Sequence, residues 1–239
     1  MHLPEVKAAA LELVARGNGL GAMAAVAEDF RRDGAVVLRD VLDVSQVELL
    51  AVYLGDGCIT EHARTHRLLI HLDAKQICAE IEALLKRCFP QNEVSYARPS
   101  ASSWSGRDDT WHILSVCSSH LACLFPQHGR GKKHERRITL EPWQERIVRS
   151  APWPFIRGCI RTDGCAFINR TDVHREQPYE YLSYDFANMS KDIVDMFVSA
   201  CDQVGVFTRV TCSRNGRWDV RINRRASVAL MLENVRRKT

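Results

Sequence analysis

Two aspartates, Asp56 and Asp163, occupy the same position in two similar stretches of the sequence. Each ends an apolar run of helical spacing and is followed directly by a glycine, which is typical of the end of a helix. Divalent metals such as Mg²⁺ bind one or two carboxylates together with water and phosphate oxygens. Two helices that end side by side on these residues would therefore suit metal-assisted hydrolysis of a phosphodiester. The alternative is that each aspartate only caps its helix.

The two stretches also share a pair of small residues. Residues 49–57 read Leu-Leu-Ala-Val-Tyr-Leu-Gly-Asp-Gly, and residues 156–164 read Ile-Arg-Gly-Cys-Ile-Arg-Thr-Asp-Gly. The small residues stand four positions apart in each, as Ala51 and Gly55 and as Gly158 and Thr162. Residues at this spacing share one face of a helix, and small ones let a second helix approach closely. The recurrence after 107 residues indicates an internal duplication of a helix that packs against its own copy.

The surrounding sequence predicts the same order of elements twice, α-β-β-α-β-β-α. The first copy begins with a helix at Val44, and its later elements are expected as strands after Gly57, at 67–72, near 93–98 and at 110–117, and as helices after Asp73 and at 120–125. The second copy is expected to contain strands at 165–171, 179–187, 206–212 and 217–222, and helices over 190–205 and 224–235. Asn215-Gly216 between the last two strands is a strong hairpin signal.

The two nine-residue stretches resemble the helix that gives the LAGLIDADG homing endonuclease family its name. The second copy is the closer match, whereas the first has Leu54 where the family name has its first Asp. The element order resembles that family over 44–235, about four-fifths of the chain. The resemblance implies an α+β fold of two pseudo-symmetric αββαββα repeats with saddle-shaped antiparallel sheets. The expected divisions are a helical segment at 1–43, a first repeat at 44–125, a basic linker at 126–150 and a second repeat at 151–239.

The family resemblance also implies a function. A single-chain member would act as a monomer, an internal pseudo-dimer, and cut both strands of a long double-stranded DNA site. Asp56 and Asp163 would then be the catalytic acids and the ligands of Mg²⁺ or Mn²⁺. The family usually places a lysine near the metal waters, and Lys132, Lys133, Lys75 and Lys191 all remain eligible. The alternative is a sequence-specific DNA-binding protein, such as a transcriptional regulator, that has the same fold and does not cut.

Alternation along the predicted strands selects residues for a DNA-facing sheet surface. Trp218, Val220 and Ile222 would point toward the helices, which leaves the intervening side chains for bases and phosphates. The candidate DNA contacts are Arg64, Arg67, His71, Lys132, Lys133, Arg170, Tyr181, Ser183, Asp185, Arg217, Asp219 and Arg221. The alternative is a solvated sheet face, and a solvated run of charge is the favoured interpretation of Lys132 and Lys133.

Composition is compatible with this interpretation and excludes others. The 239 residues are 46% hydrophobic and 26% charged, as in ordinary globular proteins. The net charge is −4 over residues 1–125 and +8 over 126–239, which suits a polyanionic partner. No apolar run approaches the roughly 18 residues that span a membrane. Neither a phosphate-binding glycine loop nor a Gly-x-Ser-x-Gly motif supports a small-molecule enzyme, and no splicing block supports an intein.

The cysteines indicate a compartment and raise one metal-site question. Nine cysteines without a Cys-x-x-Cys pair or a secretory signal favour reduced thiols and a cytoplasmic location. Cysteine and histidine also alternate at Cys117, His120, Cys123 and His128, a set that could bind zinc. Because Leu121 and Leu124 stand among them on one predicted helix, we favour core cysteines over a zinc site.

The sequence of residues 4–43 predicts two helices that faintly resemble a helix-turn-helix. We favour plain packing of these helices over DNA binding.

Overall fold

The computed structural model describes residues 44–62, 65–73, 75–97, 112–171 and 179–235. Residues 1–43, which the sequence predicts to be helical, and Arg64 lie outside these residues. The first repeat comprises α1 (Val44–Asp56), β1 (Gly57–His62), β2 (Thr65–Leu72), α2 (Lys75–Cys88), β3 (Val94–Ala97), β4 (His112–Ser118) and α3 (Leu121–Leu124). A 3₁₀ turn (Lys133–Glu135) and α4 (Pro142–Ser150) follow. The second repeat comprises α5 (Pro152–Asp163), β5 (Gly164–Thr171), β6 (Tyr179–Asn188), α6 (Lys191–Gln203), β7 (Arg209–Cys212), β8 (Trp218–Ile222) and α7 (Arg225–Asn234).

Each repeat contains one four-stranded antiparallel sheet with the same strand order. The first sheet runs β1-β2-β4-β3, and the second runs β5-β6-β8-β7. In both, the third strand of the repeat lies at an edge and the fourth lies inside. Two halves with identical element order and identical sheet topology confirm the predicted α+β fold of two αββαββα repeats.

One face of each sheet is buried against the helices. Along β2, Leu68, Ile70 and Leu72 are buried, and along β8, Val220 and Ile222 are buried. Successive side chains of a strand point to opposite faces, so the residues between them lie on the outer face. The apolar residues of the predicted alternation therefore face the helices, as the sequence predicts.

Helices α1 and α5 pack face to face at the centre of the molecule. A Cβ atom added to Gly158 would lie 2.5 Å from the carbonyl oxygen of Glu48 and 2.6 Å from Cβ of Ala51. A Cβ atom added to Gly55 would lie 2.2 Å from Oγ1 of Thr162. These separations are shorter than van der Waals contact. The small residues of each helix therefore allow the backbones to approach to a distance that a larger side chain would prevent.

The structure corrects one strand boundary. Strand β7 begins at Arg209 rather than at the expected residue 206. Gly205 has a φ of +74°, and the N–H of Val206 donates a hydrogen bond 2.9 Å long to the carbonyl of Cys201 at the end of α6. Val206 is consequently buried beneath the helix as part of its C-terminal turn, which delays the strand.

Among the helices of the described residues, none combines the length and the apolar character needed to cross a membrane.

Candidate functional site

The two aspartates are the last residues of the two central helices. Asp56 ends α1 and Asp163 ends α5. The helix ends are in contact, because a Cβ on Gly55 would lie 3.0 Å from Oδ2 of Asp163. The carboxyl end of a helix carries partial negative charge, so an aspartate there is electrostatically unfavourable unless a cation is close. The site thus concentrates two carboxylates and two helix ends of the same sign.

Lys133 provides positive charge at this point. Its Nζ atom lies 3.0 Å from the carbonyl oxygen of Leu54, 3.1 Å from that of Gly55 and 2.6 Å from that of Gly57, and it also donates to the carbonyl of Tyr53. It lies 4.8 Å from the centre of the Tyr53 ring as well. The ammonium group therefore satisfies carbonyls at the end of α1 that have no partner within the helix.

The environment of Lys133 changes its protonation. Burial lowers the pKa of Lys133 to about 8, although the carboxylates of Asp163 and Asp56 raise it in opposition. Removing an ammonium group from water disfavours its charged form, and nearby negative charges favour it. Both aspartates thus act electrostatically on the same partly buried lysine, which places the three groups in one site.

The Asp163 half of the site has different neighbours. The side chain of Asn188 donates a hydrogen bond 2.7 Å long to Oδ2 of Asp163. Asn188 also accepts from the backbone N–H of Ser190, at 2.7 Å, where α6 begins. Lysine contacts one helix end and an amide contacts the other, so the two halves of the site are not equivalent.

An open cavity of about 470 Å³ lies beside Lys133 and Asp163. Its lining includes Gly55, Asp163 and Lys133 from the helix ends, and Asn188 and Arg217 from the second repeat. Carboxylate, amide and backbone carbonyl oxygens are the hard ligands that Mg²⁺ prefers, and Mg²⁺ uses few protein ligands when phosphate oxygens supply the rest. The carboxylate of Asp163 and the amide oxygen of Asn188 are donors of this kind, and the cavity has room for a phosphate.

The outer face of the second sheet carries paired charges. Arg221 lies 3.1 Å from Oδ2 of Asp185, its register partner on β6, and its guanidinium group lies 5.4 Å from the centre of the Phe167 ring. Arg217 lies 2.9 Å from Asp219. These arginines are about half exposed and the aspartates mostly covered. The arginine heads can therefore reach a partner, while the acids orient them.

Other sequence candidates lie at the periphery. Arg170 forms an exposed ion pair with Glu180, 2.7 Å long, and Tyr181 accepts a 2.7 Å hydrogen bond from Asn169. Arg67 is exposed on β2. His71, four residues after Arg67 on the same strand, is half-buried, and burial lowers its pKa.

Two expectations about exposure are wrong. Ser183 is completely buried, although alternation assigns it to the outer face, and its position opposite Phe167 in the register places it next to a large side chain. Lys133 is not part of a solvated run of charge, because the 3₁₀ turn carries it under α1. Its neighbour Lys132 is solvated as expected, with a side chain 72% exposed.

The structure does not assemble the cysteine and histidine set that the sequence suggested for zinc. The one group of potential ligands found within the described residues instead joins His128 to Glu61 and His66. The expectation of core cysteines is also wrong for Cys123, which is exposed. Cys123 lies in α3, which is only one turn long, so the helical periodicity assumed for 120–125 does not continue.

Solved structures of two proteins are similar to this chain. The homing endonuclease I-DmoI in complex with DNA and Mn has 15% identity and a TM-score of 0.51 over 81% of this chain and 98% of that chain. A variant of I-DmoI with its target DNA gives 16% and 0.53, over 82% and 96%. The N-terminal LAGLIDADG domain of WhiA gives 12% and 0.50, over 80% of each chain. The chain has a LAGLIDADG-like fold. No protein-family model and no curated protein matches its sequence.

Sequence reasoning missed one residue of this LAGLIDADG-like site, Asn188, and named Lys133 only as one of four eligible lysines. Lys133 and Asn188 lie outside the duplicated stretch and reach the helix ends only through the tertiary fold. Asn188 carried a usable signal, since an asparagine two residues before the Ser190 cap of a helix stands where a strand ends. Lys133 carried no such signal, because a lysine in a run of charge looks the same whether it is solvated or buried.

Proposed function

We propose that this chain is a double-stranded DNA endonuclease that uses a divalent cation held by Asp56 and Asp163. The observation that supports this most is the junction of α1 and α5, where both helices end on an aspartate beside a partly buried lysine and an open cavity. Two carboxylates that only capped helices would not need a close approach of two backbones. The duplication provides one acid for each of the two antiparallel strands of a duplex.

DNA binding is supported by charge and by fold. The net charge of +8 over residues 126–239 suits a polyanion, and the outer sheet face of that repeat presents Arg217 and Arg221. I-DmoI, which is similar in fold, was solved in complex with DNA and Mn. A chain that contains both repeats needs no second copy to form such a surface, so we expect it to act as a monomer.

The protein groups have separate tasks in this proposal. Asp56 and Asp163 hold the cation, and Asn188 orients the Asp163 carboxylate by its hydrogen bond. A bound Mg²⁺ or Mn²⁺ would activate a water molecule and stabilise the charge that develops on the phosphodiester oxygens. Lys133, whose pKa of about 8 is close to neutral pH, is suited to exchanging a proton with that water or to stabilising negative charge on the phosphate.

The alternative remains a DNA-binding protein that does not cut. The same fold occurs in the N-terminal domain of WhiA. The two functions share the sheet surface and differ in what happens at the aspartates.

One experiment separates the two functions. The protein is incubated with a randomised duplex library, and bound sequences are selected in parallel with a search for cut products in Mg²⁺ or Mn²⁺. We expect enrichment of long sites and double-strand breaks within the same sites. Enriched sites that are never cut would contradict the nuclease and leave the DNA-binding alternative. A library without enrichment or cutting would contradict both.

A further inference from the structure

Three side chains that could bind a metal converge outside the aspartate site. One carboxylate oxygen of Glu61 and one ring nitrogen each of His66 and His128 all lie within 4.8 Å of one another. Nε2 of His128 lies 3.6 Å from Oε1 of Glu61. Ligand atoms around a tetrahedral zinc, each about 2.0–2.2 Å from the metal, lie roughly 3.4 Å apart. Only a small contraction would therefore close the group around an ion.

The β1–β2 hairpin brings two of these residues together. Glu61 and His66 are directly opposite each other in the register, two positions beyond the pair Ile59 and Leu68. Residues two apart share a face, so Glu61 and His66 lie on the same face as buried Leu68, which is the side that packs on helices. A carboxylate and an imidazole thus replace an apolar cross-strand pair at the end of the core face, away from the face proposed for DNA.

His128 approaches from the segment that follows α3, with one ring nitrogen already engaged. Its Nδ1 lies 3.1 Å from the carbonyl oxygen of Phe125, an acceptor that requires Nδ1 to carry the proton. The lone pair is then on Nε2, the atom that faces Glu61. Metal-binding histidines are commonly oriented in this way, with the second nitrogen donating to a backbone carbonyl.

His66 provides an independent sign that the group is incomplete. Its Nδ1 atom is buried and has no hydrogen-bond partner within the described residues. A buried polar atom without a partner is costly, and that cost is removed if Nδ1 of His66 is the atom that binds the metal. The rings of His66 and His128 are edge to face, with centroids 6.0 Å apart, which leaves their nitrogens free to converge.

We infer that Glu61, His66 and His128 form a site for one transition-metal ion, Zn²⁺ by preference. Two imidazoles and one carboxylate match the donors that zinc takes, and a fourth position would be filled by water. Mg²⁺ is a poor fit to two nitrogen ligands. Its ligands differ from the two aspartates, although His128 also lines the cavity beside Asp163. The inference does not rest on the proposed nuclease activity.

A metal ion at this site would connect the β1–β2 hairpin to the segment that follows α3. Glu61 and His66 belong to the first sheet, whereas His128 belongs to the segment that continues to Lys133 in the aspartate site. The bound ion would therefore hold that segment against the hairpin. We expect zinc to raise the melting temperature of the protein and to increase the protection of residues 126–137 from hydrogen exchange.

The test is a zinc titration of the full chain, freed of metal by a chelator, against a chromophoric competitor. The expected result is one equivalent of Zn²⁺ bound. The affinity should fall at least about 100-fold in both His66→Ala and Glu61→Gln, since loss of a direct ligand exceeds the 10- to 100-fold effect of an outer partner. Glu61 is exposed at its side chain, so Glu61→Gln is expected to fold normally.

Two controls make the result specific. His62→Ala removes an exposed histidine of the same hairpin, and Asp163→Asn removes a carboxylate of the other site; both should bind zinc as the wild type does. Co²⁺ in the site should give ligand-field bands without a thiolate charge-transfer band. Unchanged zinc affinity in Glu61→Gln and His66→Ala, an equal loss in His62→Ala, or a thiolate band from Cys117 or Cys123 would overturn the inference.

Discussion

Lys133 offsets the negative charge that collects where α1 and α5 end. Its ammonium group contacts backbone carbonyls of one helix end and interacts with both aspartates. Burial still dominates, so the pKa lies below that of a free lysine. The same group is thus a structural cap and a titratable group close to neutral pH. Substitution of Lys133 should therefore have effects on stability that substitution of an exposed lysine does not have.

The first prediction concerns the pH dependence of stability without divalent metal. Lys133 has a folded-state pKa of about 8, whereas an unfolded lysine has a pKa of about 10.4. Between these values the unfolded chain binds more protons, so folding is favoured as pH rises. The free energy of unfolding of the wild type, relative to Lys133→Met, should therefore be constant below about pH 8 and increase from there to about pH 10.

The matched control is Lys132→Met. The side chain of Lys132 is mostly exposed, so the difference between wild type and this variant should not change with pH. Chemical denaturation at several pH values measures both differences. A flat curve for Lys133→Met, like that for Lys132→Met, would show that Lys133 is not buried as the structure has it.

The second prediction concerns the arginines of the outer sheet face. Arg221 is held by Asp185 and is half exposed, which presents its fork of donors to a partner. If it reads a base, Arg221→Ala should weaken binding to a selected DNA site by ~1–3 kcal/mol, and Arg217→Ala should do the same. Arg149→Ala, on α4 rather than on a sheet, should have little effect. Equilibrium binding at moderate salt measures the affinity of each variant. Wild-type affinity in both Arg221→Ala and Arg217→Ala would refute the proposed DNA-binding surface.

At the scale of elements, the contact between α1 and α5 depends on small side chains. Helix α1 is buried on all sides from Leu49 to Leu54, which is the character of a central helix. Arg157 of α5 pairs with Glu48 of α1 at 2.9 Å, at the margin of the contact. This ion pair therefore lies at the edge of the interface between α1 and α5, and the two backbones are in close contact at its centre.

The third prediction is that Gly158→Ala destabilises the protein. Alanine in a helix is favoured over glycine by about 0.5–1 kcal/mol. The added Cβ would lie 2.5 Å from a backbone carbonyl oxygen of α1, which cannot move aside as a flexible side chain would. Overpacking of this kind costs about 1–3 kcal/mol, so the net loss should be about 1–2 kcal/mol.

A second glycine serves as the control for this substitution. The nearest atoms to a Cβ on Gly129 belong to the flexible side chain of Arg136, at 3.4 Å or more, so Gly129→Ala should change stability by less than about 0.5 kcal/mol. Denaturant unfolding measures both variants. If Gly158→Ala proved more stable than the wild type, the close approach of the two helices would be wrong.

The sequence could predict the elements because their signals are local. Small residues four apart, an Asp-Gly end and Asn215-Gly216 each act within a few residues, and the structure has a helix, a helix end and a turn there. The start of β7 was missed because Val206 folds back under α6, a tertiary effect. Ser183 was misjudged because alternation gives the face of a strand and not what covers that face.

At the scale of the whole molecule, the duplication predicts more than any single stretch does. From the repetition of one element order, both the two sheets and the central pair of helices could be predicted. It could not give the differences between the repeats, because Lys133 comes from the linker and has no counterpart generated by the duplication. The candidate site is therefore predictable at its two acids and unpredictable at the residues that distinguish its halves.

The central claim is tested most directly at those acids. Asn retains the shape and hydrogen-bonding capacity of Asp at a helix end but loses the charge that holds a cation. Asp56→Asn and Asp163→Asn should therefore fold, and bind a selected DNA site at least as tightly as the wild type does, because a negative charge near the phosphates is removed. Glu145→Gln, an exposed change on α4, is the matched control.

The measurement is cleavage of that site in Mg²⁺, with each strand labelled separately. The wild type and Glu145→Gln should cut both strands, whereas Asp56→Asn and Asp163→Asn should each lose double-strand cleavage and retain at most a nick in one strand. Double-strand cleavage at the wild-type rate by either aspartate variant, or a wild type that binds the site and leaves both strands intact, would contradict the account.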